Sequence, residues 1–550
     1  MRISPLYSNV VTTTLCIATL LMPCSAFSKD WVYTVVQGDN LWNFSELHLD
    51  SVLRFEKLRT LNNIQNPKRM KPGSKIRVPL KWVKSNPVPA EVVAISGTAQ
   101  LIHPDNKIDQ ISAAGTLIKL GDRIKTGSES SIAIKFADNS ILTLHANSLI
   151  QFNHLSAHGV TGMVDSRLHL LEGRIDTRVT PATGPGSRFE IHTPSAISAV
   201  RGTEYRAAVA QASHSSNIEV LHGKVAVKGG KKQRLVNAGF GTRVEKGKQP
   251  IKPRKLLKAP SLNPFPERIR ILNQTLSWKP VKSALRYRTE ISDEENFNTI
   301  IWQKTSDYPK VGLPDLLDGN YFIRVRGIDN LGLEGRQLVS RFVMDTRPQP
   351  PVQLKPSEGK VFRGKTPQLQ WTNSAEAARY QLEIANDEDF TQLVVNLDGI
   401  DKTHFDTSKL SQTNKYYWRL TSIAPDGEYG PVGSTRSYEV KPMPEKISAS
   451  MDVSDDGNLS ASWRPGSPGQ SYQVQMAYDS DFKDMEFDKN TSKPSLSFKP
   501  IIGQFRYLRI RGIEADGYQG PWGAVQRIDP TPDKSIWAIP LISIIGILLL

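Results

Sequence analysis

Apolar residues in this chain recur mostly at every second position, in short runs that stop at Gly, Pro, Asn or Asp. That pattern predicts β-strands joined by tight turns over most of the length. One stretch departs from it. Leu41, Phe44 and Leu47, then Val52, Phe55, Leu58 and Leu61, fall at helical spacing. They predict two short helices and a small core between strands at 32–36 and 75–79, a βααβ module spanning 31–82. Beyond it, Ile132, Ile134 and Phe136 alternate, as do Leu168 and Leu170, then Phe189 and Ile191. Ala137-Asp138-Asn139 and Glu172-Gly173-Arg174 supply turns between such runs. A β-rich domain over 92–246 follows, either a sandwich or a short solenoid.

The remainder repeats. Trp278, Trp371 and Trp463 lie 93 and 92 residues apart, and each is followed by a tyrosine nine residues on (Tyr287, Tyr380, Tyr472) and a phenylalanine nineteen residues on (Phe297, Phe390, Phe482). Arg324, Arg419 and Arg509 then run into Gly332, Gly427 and Gly517. Self-similarity at this period means tandem copies of one folded unit, here over 265–345, 355–441 and 445–529. The units resemble fibronectin type III domains, which implies three tandem immunoglobulin-like sandwiches with the tryptophans as buried anchors. Tyr321 and Tyr416 fall where a tyrosine corner is expected. The third copy has Arg506 there, with Tyr507 shifted by one, which predicts a looser third sandwich or an altered strand register.

Tyr33-Thr34-Val35-Val36-Gln37-Gly38-Asp39-Asn40-Leu41-Trp42, with Asn63-Ile64-Gln65-Asn66-Pro67 and Met70-Lys71-Pro72-Gly73, resembles the two ends of a LysM domain. The resemblance implies a shallow groove for N-acetylglucosamine-containing glycan formed by Gly38, Asp39, Asn40, Leu41, Ile64, Asn66, Pro67 and Met70. Asn40 stands where that family commonly has Thr or Ser, and Asp39 or Asn40 also suits a helix cap. Replacing Asn40 or Met70 is expected to weaken glycan binding without unfolding the module. In the second domain, Leu120-Gly121-Asp122-Arg123-Ile124-Lys125-Thr126-Gly127, Leu171-Glu172-Gly173 and Val200-Arg201-Gly202-Thr203-Glu204-Tyr205 resemble the extracytoplasmic domain of FecR proteins. The fold class expected is therefore mostly β and multidomain: a small βααβ LysM module, a FecR-like β domain and three sandwiches.

Composition refines this. At 550 residues, with 39% hydrophobic and 23% charged residues, the chain suits several folded domains rather than disorder. Arg2, the apolar stretch 10–22 and Cys24-Ser25-Ala26 read as an export signal over 1–26. Both cysteines, Cys16 and Cys24, lie within it, so the mature chain is expected to lack thiol chemistry unless Cys24 is lipidated. The formal charge is +16, and between 228 and 258 eleven Lys or Arg stand against the single acid Glu245. Such a patch suits anionic lipid, lipopolysaccharide or peptidoglycan carboxylates, or a solvated basic linker over 247–264. An exported chain is kept from nucleic acid. The apolar tail 536–550 would span about 22 Å as a helix, against about 30 Å for a bilayer core, and suggests a membrane contact.

No catalytic pattern stands out. His-Glu-x-x-His and Gly-x-Ser-x-Gly are both missing from the sequence. His154 and His158 have a metal-like spacing only on a helix, and a turn is expected there. The acidic runs at Asp293, Asp387 and Asp479 recur at one repeat position and read as hairpin turns. The favoured reading is a non-enzymatic envelope or periplasmic protein, without cofactor or metal, that binds peptidoglycan and displays interaction domains, the FecR-like one for an envelope protein partner. A FecR-type extracytoplasmic regulator is the alternative, and an accessory subunit of a wall hydrolase the third.

Overall fold

The computed structural model describes residues 30–410, 413–453, 458–499 and 501–530. The expected export signal and apolar tail lie outside them. Two compact units divide the chain, one ending at Thr346 and one beginning at Arg347. No helix among the described residues is long and apolar enough to cross a membrane.

The first unit opens with the βααβ module. Strands Asp30–Thr34 and Lys75–Pro79 pair antiparallel, Asp30 opposite Pro79 and Thr34 opposite Lys75. Helix Leu41–His48 and helix Phe55–Leu61 pack on them, joined by the 3-10 turn Val52–Arg54. Leu41, Phe44, Leu49, Leu58, Met70, Ile76 and Val78 form the core. Leu47 and Leu61, expected in that core, are exposed instead. The inward stripe of the first helix runs through Leu41, Phe44, Ser45 and His48 at positions i, i+3, i+4 and i+7, which turns Leu47 to solvent.

The second domain consists of two sheets sharing the strand Val164–Arg178, and its pairing path closes on itself around a single core. The first part of that strand pairs with Leu149–Ala157, and the last part with Ile141–Leu144 and Glu204–Val209. The crossing falls at Gly173. Its φ is +85°, and a Cβ there would lie 2.0 Å from Ser148 Oγ, so only glycine lets the strand pass between sheets. The stretch expected to be a solvated linker is in fact built into the fold. Arg254–Lys255 pairs with Phe240–Val244, Leu256 is buried, and the Leu257 carbonyl accepts from Arg336 N at 2.9 Å. Two leucines in an otherwise basic run are reason enough to pin it down.

Each repeat copy is a two-sheet sandwich. The first pairs a three-stranded sheet around Thr275–Lys279 with a five-stranded one containing Arg286–Ser292, Gly319–Ile328 and Glu334–Met344. The copies in the second unit follow the same plan, around Gln368–Trp371 with Arg379–Ala385, and around Leu459–Trp463 with Ser471–Ala477. Trp278, Trp371 and Trp463 are buried, each edge-on to its repeat tyrosine at 5.3, 6.0 and 5.2 Å. Those tyrosine hydroxyls accept from the backbone N of Val281, Ser374 and Gly466 at 2.9, 3.0 and 2.8 Å. Phe297, Phe390 and Phe482 all adopt positive φ (55°, 57°, 58°), and an arginine of the same copy lies over each ring, at 4.4, 3.9 and 4.0 Å. Stacked guanidinium helps hold a bulky residue in a region it otherwise avoids.

Tyr321 Oη donates to the Leu317 carbonyl at 3.0 Å, the corner contact expected of it. The third copy corrects the expectation of altered register. Ala477 faces Tyr507 as Ala385 faces Tyr417 and Ser292 faces Phe322, so Arg506 holds the position of Tyr416 and Tyr321. Its guanidinium lies 3.8 Å over Tyr478.

Candidate functional site

The two N-terminal loops named from the sequence are brought together by backbone bonds. Leu41 N donates to the Pro67 carbonyl at 2.8 Å, and Met70 N to the Asp39 carbonyl at 3.3 Å. Asp39 Oδ2 accepts from Val36 N at 2.8 Å and from Tyr33 Oη at 2.9 Å. Burial and this carboxylate raise the Tyr33 pKa. Asn40 caps the first helix, its Oδ1 accepting from Asn43 N at 2.8 Å, and Asn66 Oδ1 accepts from Lys68 N at 3.0 Å. Gly38 has φ +95° and nothing within 4 Å of where a Cβ would sit, so its backbone is open to an approaching ligand.

The eight named residues therefore divide. Gly38, Asp39, Asn40, Ile64, Asn66 and Pro67 remain partly or fully accessible on the loops. Leu41 and Met70 are core residues, at 0% and 5% exposure, and their backbone N–H groups close the two loops against each other. The expectation that Met70 can be replaced without cost to the fold is thereby corrected. Exposed Gln37, Gln65, Lys68 and Arg69 flank the loops and were not singled out from sequence, because polar loop residues carry no periodic signal. The loops lie at the Thr34–Lys75 end of the two-stranded sheet. At the other end, beyond Asp30 and Pro79, Leu80 and His158 pack on Gly186 of the second domain. His154, its spacing partner, lies within the strand Leu149–Ala157, not on a helix, and its Nε2 is 2.9 Å from Ser156 Oγ.

A second assembly of polar residues lies between the second domain and the first sandwich. Asp176 Oδ2 accepts from Arg324 Nη2 at 2.9 Å and Arg326 Nη2 at 3.2 Å. Arg326 also donates to Glu290 at 2.8 Å and Glu334 at 2.7 Å. Glu334 accepts further from Arg288 Nε at 2.7 Å and Arg174 Nη2 at 3.2 Å. Arg206 Nη2 donates to the carbonyls of Glu334 and Gly335 at 2.7 and 2.9 Å, and its Nε lies 3.4 Å from Glu219. His145 sits 3.1 Å from Asp176 and 3.2 Å from Glu290. Five arginines and four carboxylates thus meet where two domains join, and Arg326 is fully buried.

Residues 33–79 match the family model for the LysM domain, and residues 122–226 match that for FecR protein. The chain carries a LysM domain followed by a FecR domain. Over 50 residues, 9% of its length, it is 40% identical to an uncharacterized protein of Deinococcus radiodurans, and it spans about a fifth (20%) of that curated relative. Among solved structures it is similar to a protein described as a candidate anti-sigma factor from Parabacteroides distasonis, with 16% identity and a TM-score of 0.21, over 24% of this chain and 59% of that one. It is also similar to the FN1–FN3 domains of chicken CNTN1, with 14% identity and a TM-score of 0.20, over 50% of this chain and 98% of that one. At these TM-scores neither likeness adds to the strand pairing described above.

The electrostatics of the FecR–sandwich junction follow from its burial. Burial alone would raise the carboxyls of Asp176, Glu290 and Glu334. Neighbouring positive charge outweighs it, His145 first at Asp176, Arg324 first at Glu290 and Arg174 then Arg288 at Glu334, with Arg326 acting on all three, and holds them well below the ordinary range. Glu219 goes the other way. Burial pushes it up to about 7, Arg206 opposing and the charge of Glu334 adding to the rise. Arg174 is lowered to about 10 by burial and by Arg288 beside it, which leaves it charged at neutral pH. Among the described residues no group of three or more His, Cys, Asp or Glu is placed to hold a metal.

Proposed function

We propose that this chain is a non-catalytic, exported envelope protein whose LysM domain holds N-acetylglucosamine-containing peptidoglycan glycan, while the FecR domain and the sandwiches are displayed beyond it. The observation that carries the reading is the pair of backbone bonds closing the Asp39–Leu41 and Pro67–Met70 loops against each other. They tie the two loops together beside the open Gly38, at the end of the module remote from the FecR domain, which supports a backbone groove for the glycan there. A shallow groove of this kind buries little surface, so affinity is modest and rests on backbone groups meeting acetamides. Sedimentation with purified peptidoglycan tests it: full-length protein is expected in the pellet, and protein lacking 31–82 in the supernatant. Equal pelleting of both would end the LysM reading. The FecR match supports a second reading, an extracytoplasmic regulator whose FecR domain meets an envelope partner.

A further inference from the structure

The three sandwiches carry one sheet face in equivalent register, and in the first that face meets the FecR domain. Strand pairing sets Glu290 opposite Arg324 and Arg288 opposite Arg326. It likewise sets Glu383 opposite Arg419 and Gln381 opposite Thr421, and Gln475 opposite Arg509 and Gln473 opposite Arg511. In the first sandwich each of Arg324 and Arg326 sends a terminal Nη2 out of the sheet to the Asp176 carboxylate of the FecR domain, and Arg324 keeps its Nε on Glu290. The second sandwich lacks the pair: Thr421 replaces one arginine, and Arg419 is ion-paired to Glu383 at 2.7 Å.

The third sandwich keeps both arginines and has Gln475 where the first has the Glu290 carboxylate. Arg509 Nε donates to Gln475 Oε1 at 2.8 Å and Arg511 Nε to Gln473 Oε1 at 2.7 Å, so each head is held by its Nε as Arg324 is. Trp522 lies 4.3 Å from both guanidinium groups and Phe482 supports Arg509 from 4.0 Å. Stacking uses the flat face of a guanidinium and leaves the terminal N–H fork at its edge to bind. The carboxylate that bears on this face, Asp488, is already engaged by Gln473 and Gln475, and neither Arg509 nor Arg511 forms an ion pair among the described residues. Nearby Arg506 is neutralised by Glu486.

We propose that the Arg509–Arg511 face of the third sandwich, with Trp522 as its platform, is a clamp for a carboxylate on an acidic protein surface, as Arg324 and Arg326 clamp Asp176 within the chain. Protein is the occupant because the equivalent clamp is filled by an aspartate presented from a strand. Replacing Glu290 by Gln475 leaves a net charge that attracts rather than one already balanced.

The test is arginine footprinting by phenylglyoxal on the full-length protein, read peptide by peptide, with poly-L-glutamate as the acidic polypeptide. Arg509 and Arg511 are expected to label in the free protein and to be protected by poly-L-glutamate, while Arg324 and Arg326 stay unlabelled throughout. Gln475→Glu, which installs the counter-charge of the first sandwich, is expected to raise the concentration giving half-protection of Arg509 and Arg511 about tenfold. Arg509→Gln with Arg511→Gln is expected to remove protection of the remaining third-sandwich peptides. Protection confined to the basic residues 228–258, or unchanged in the Gln475→Glu protein, would overturn the proposal. So would polygalacturonate of matched charge protecting the pair at lower concentration than poly-L-glutamate, since the occupant would then be an acidic glycan.

Discussion

Arg326→Met is the sharpest perturbation of the FecR–sandwich junction. The side chain is fully buried and touches three carboxylates, Asp176, Glu290 and Glu334, at 3.2, 2.8 and 2.7 Å. Methionine fills much of its volume without its charge, leaving three buried anions short of a cation. Breaking a buried ion pair on one side costs about 3–5 kcal/mol, and the remaining arginines keep the loss near that range. A comparison lies in the second sandwich, where Arg419 occupies the position of Arg324, is 28% exposed and pairs with Glu383 alone. Arg419→Met should cost less, about 1–2 kcal/mol, the loss of one partly buried pair and of the stacking on Phe390. The assay is native-state hydrogen exchange of the full chain, followed on core amides of the FecR domain (Phe152, Ile191) and of the first sandwich (Ile291, Val325). In Arg326→Met both sets should lose protection together, because the network belongs to both domains. A loss below about 1 kcal/mol, or one confined to the sandwich, would refute a shared core of charge.

Glu219 gives a pH signature. Its native pKa of about 7 lies above the unfolded value of 4.5, so the stability it contributes is present below about pH 4.5 and is lost as pH rises to 7. In urea melts, Glu219→Gln should gain on the wild type by about 1–3 kcal/mol between pH 5 and pH 8. A constant difference across that range would show that Glu219 does not titrate there. Gly173→Ala should destabilise the FecR domain by several kcal/mol, since a Cβ meets Ser148 Oγ at 2.0 Å; thermal unfolding checks it, and a change within about 1 kcal/mol would contradict the strand crossing. Asn40→Ala should cost about 1 kcal/mol through the lost cap and also weaken peptidoglycan pelleting, whereas Met70→Ala should unfold the LysM module at a cost of about 2–5 kcal/mol. Circular dichroism of the two variants beside their pelleting separates the effects.

What was legible in the sequence was what repeats or what lies close along the chain. The Trp–Tyr–Phe landmarks fixed three sandwiches because each copy buries the same residues against its own neighbours. The LysM loops announced themselves through Gly38-Asp39 and Asn66-Pro67, local signals that need no tertiary knowledge. The junction was hidden for the opposite reason. Along 286–292 the apolar face runs through Tyr287 and Ile291, and alternation assigns Arg288 and Glu290 to solvent. The same rule assigns Arg324 and Arg326 outward. Alternation says which residues leave the core of their own sandwich and nothing of a second domain waiting on the other side, whose Asp176 is 150 residues away in the chain. The basic run after 246 misled in the same manner, since its charge hid Leu256 and Leu257. A usable signal did exist. Outward positions 288, 290, 324 and 326 are all charged in the first copy, and the matching positions are not in the other two.

That difference makes the first sandwich the copy whose outward charges complement the FecR domain. The FecR side offers Arg174 and Arg206, which need acceptors, and Asp176, which needs donors. The first sandwich answers with Glu334 and with Arg324 and Arg326. At the position of Glu334, which pairs with Ile328, the second copy has Tyr429 opposite Ile423 and the third has Gln519 opposite Ile513. Thr421 in the second copy and Gln475 in the third remove a further partner each. Docked on the FecR domain, either would bury Arg174 without the Glu334 carboxylate that accepts from it, and the third copy would also lack a carboxylate at the Glu290 position, at a cost of up to about 3–5 kcal/mol. An apolar junction would not discriminate in this way, because the three sandwiches are alike in their apolar residues and differ in these charges. The buried ions therefore select a partner within the chain, and what they contribute to net stability is secondary to that choice.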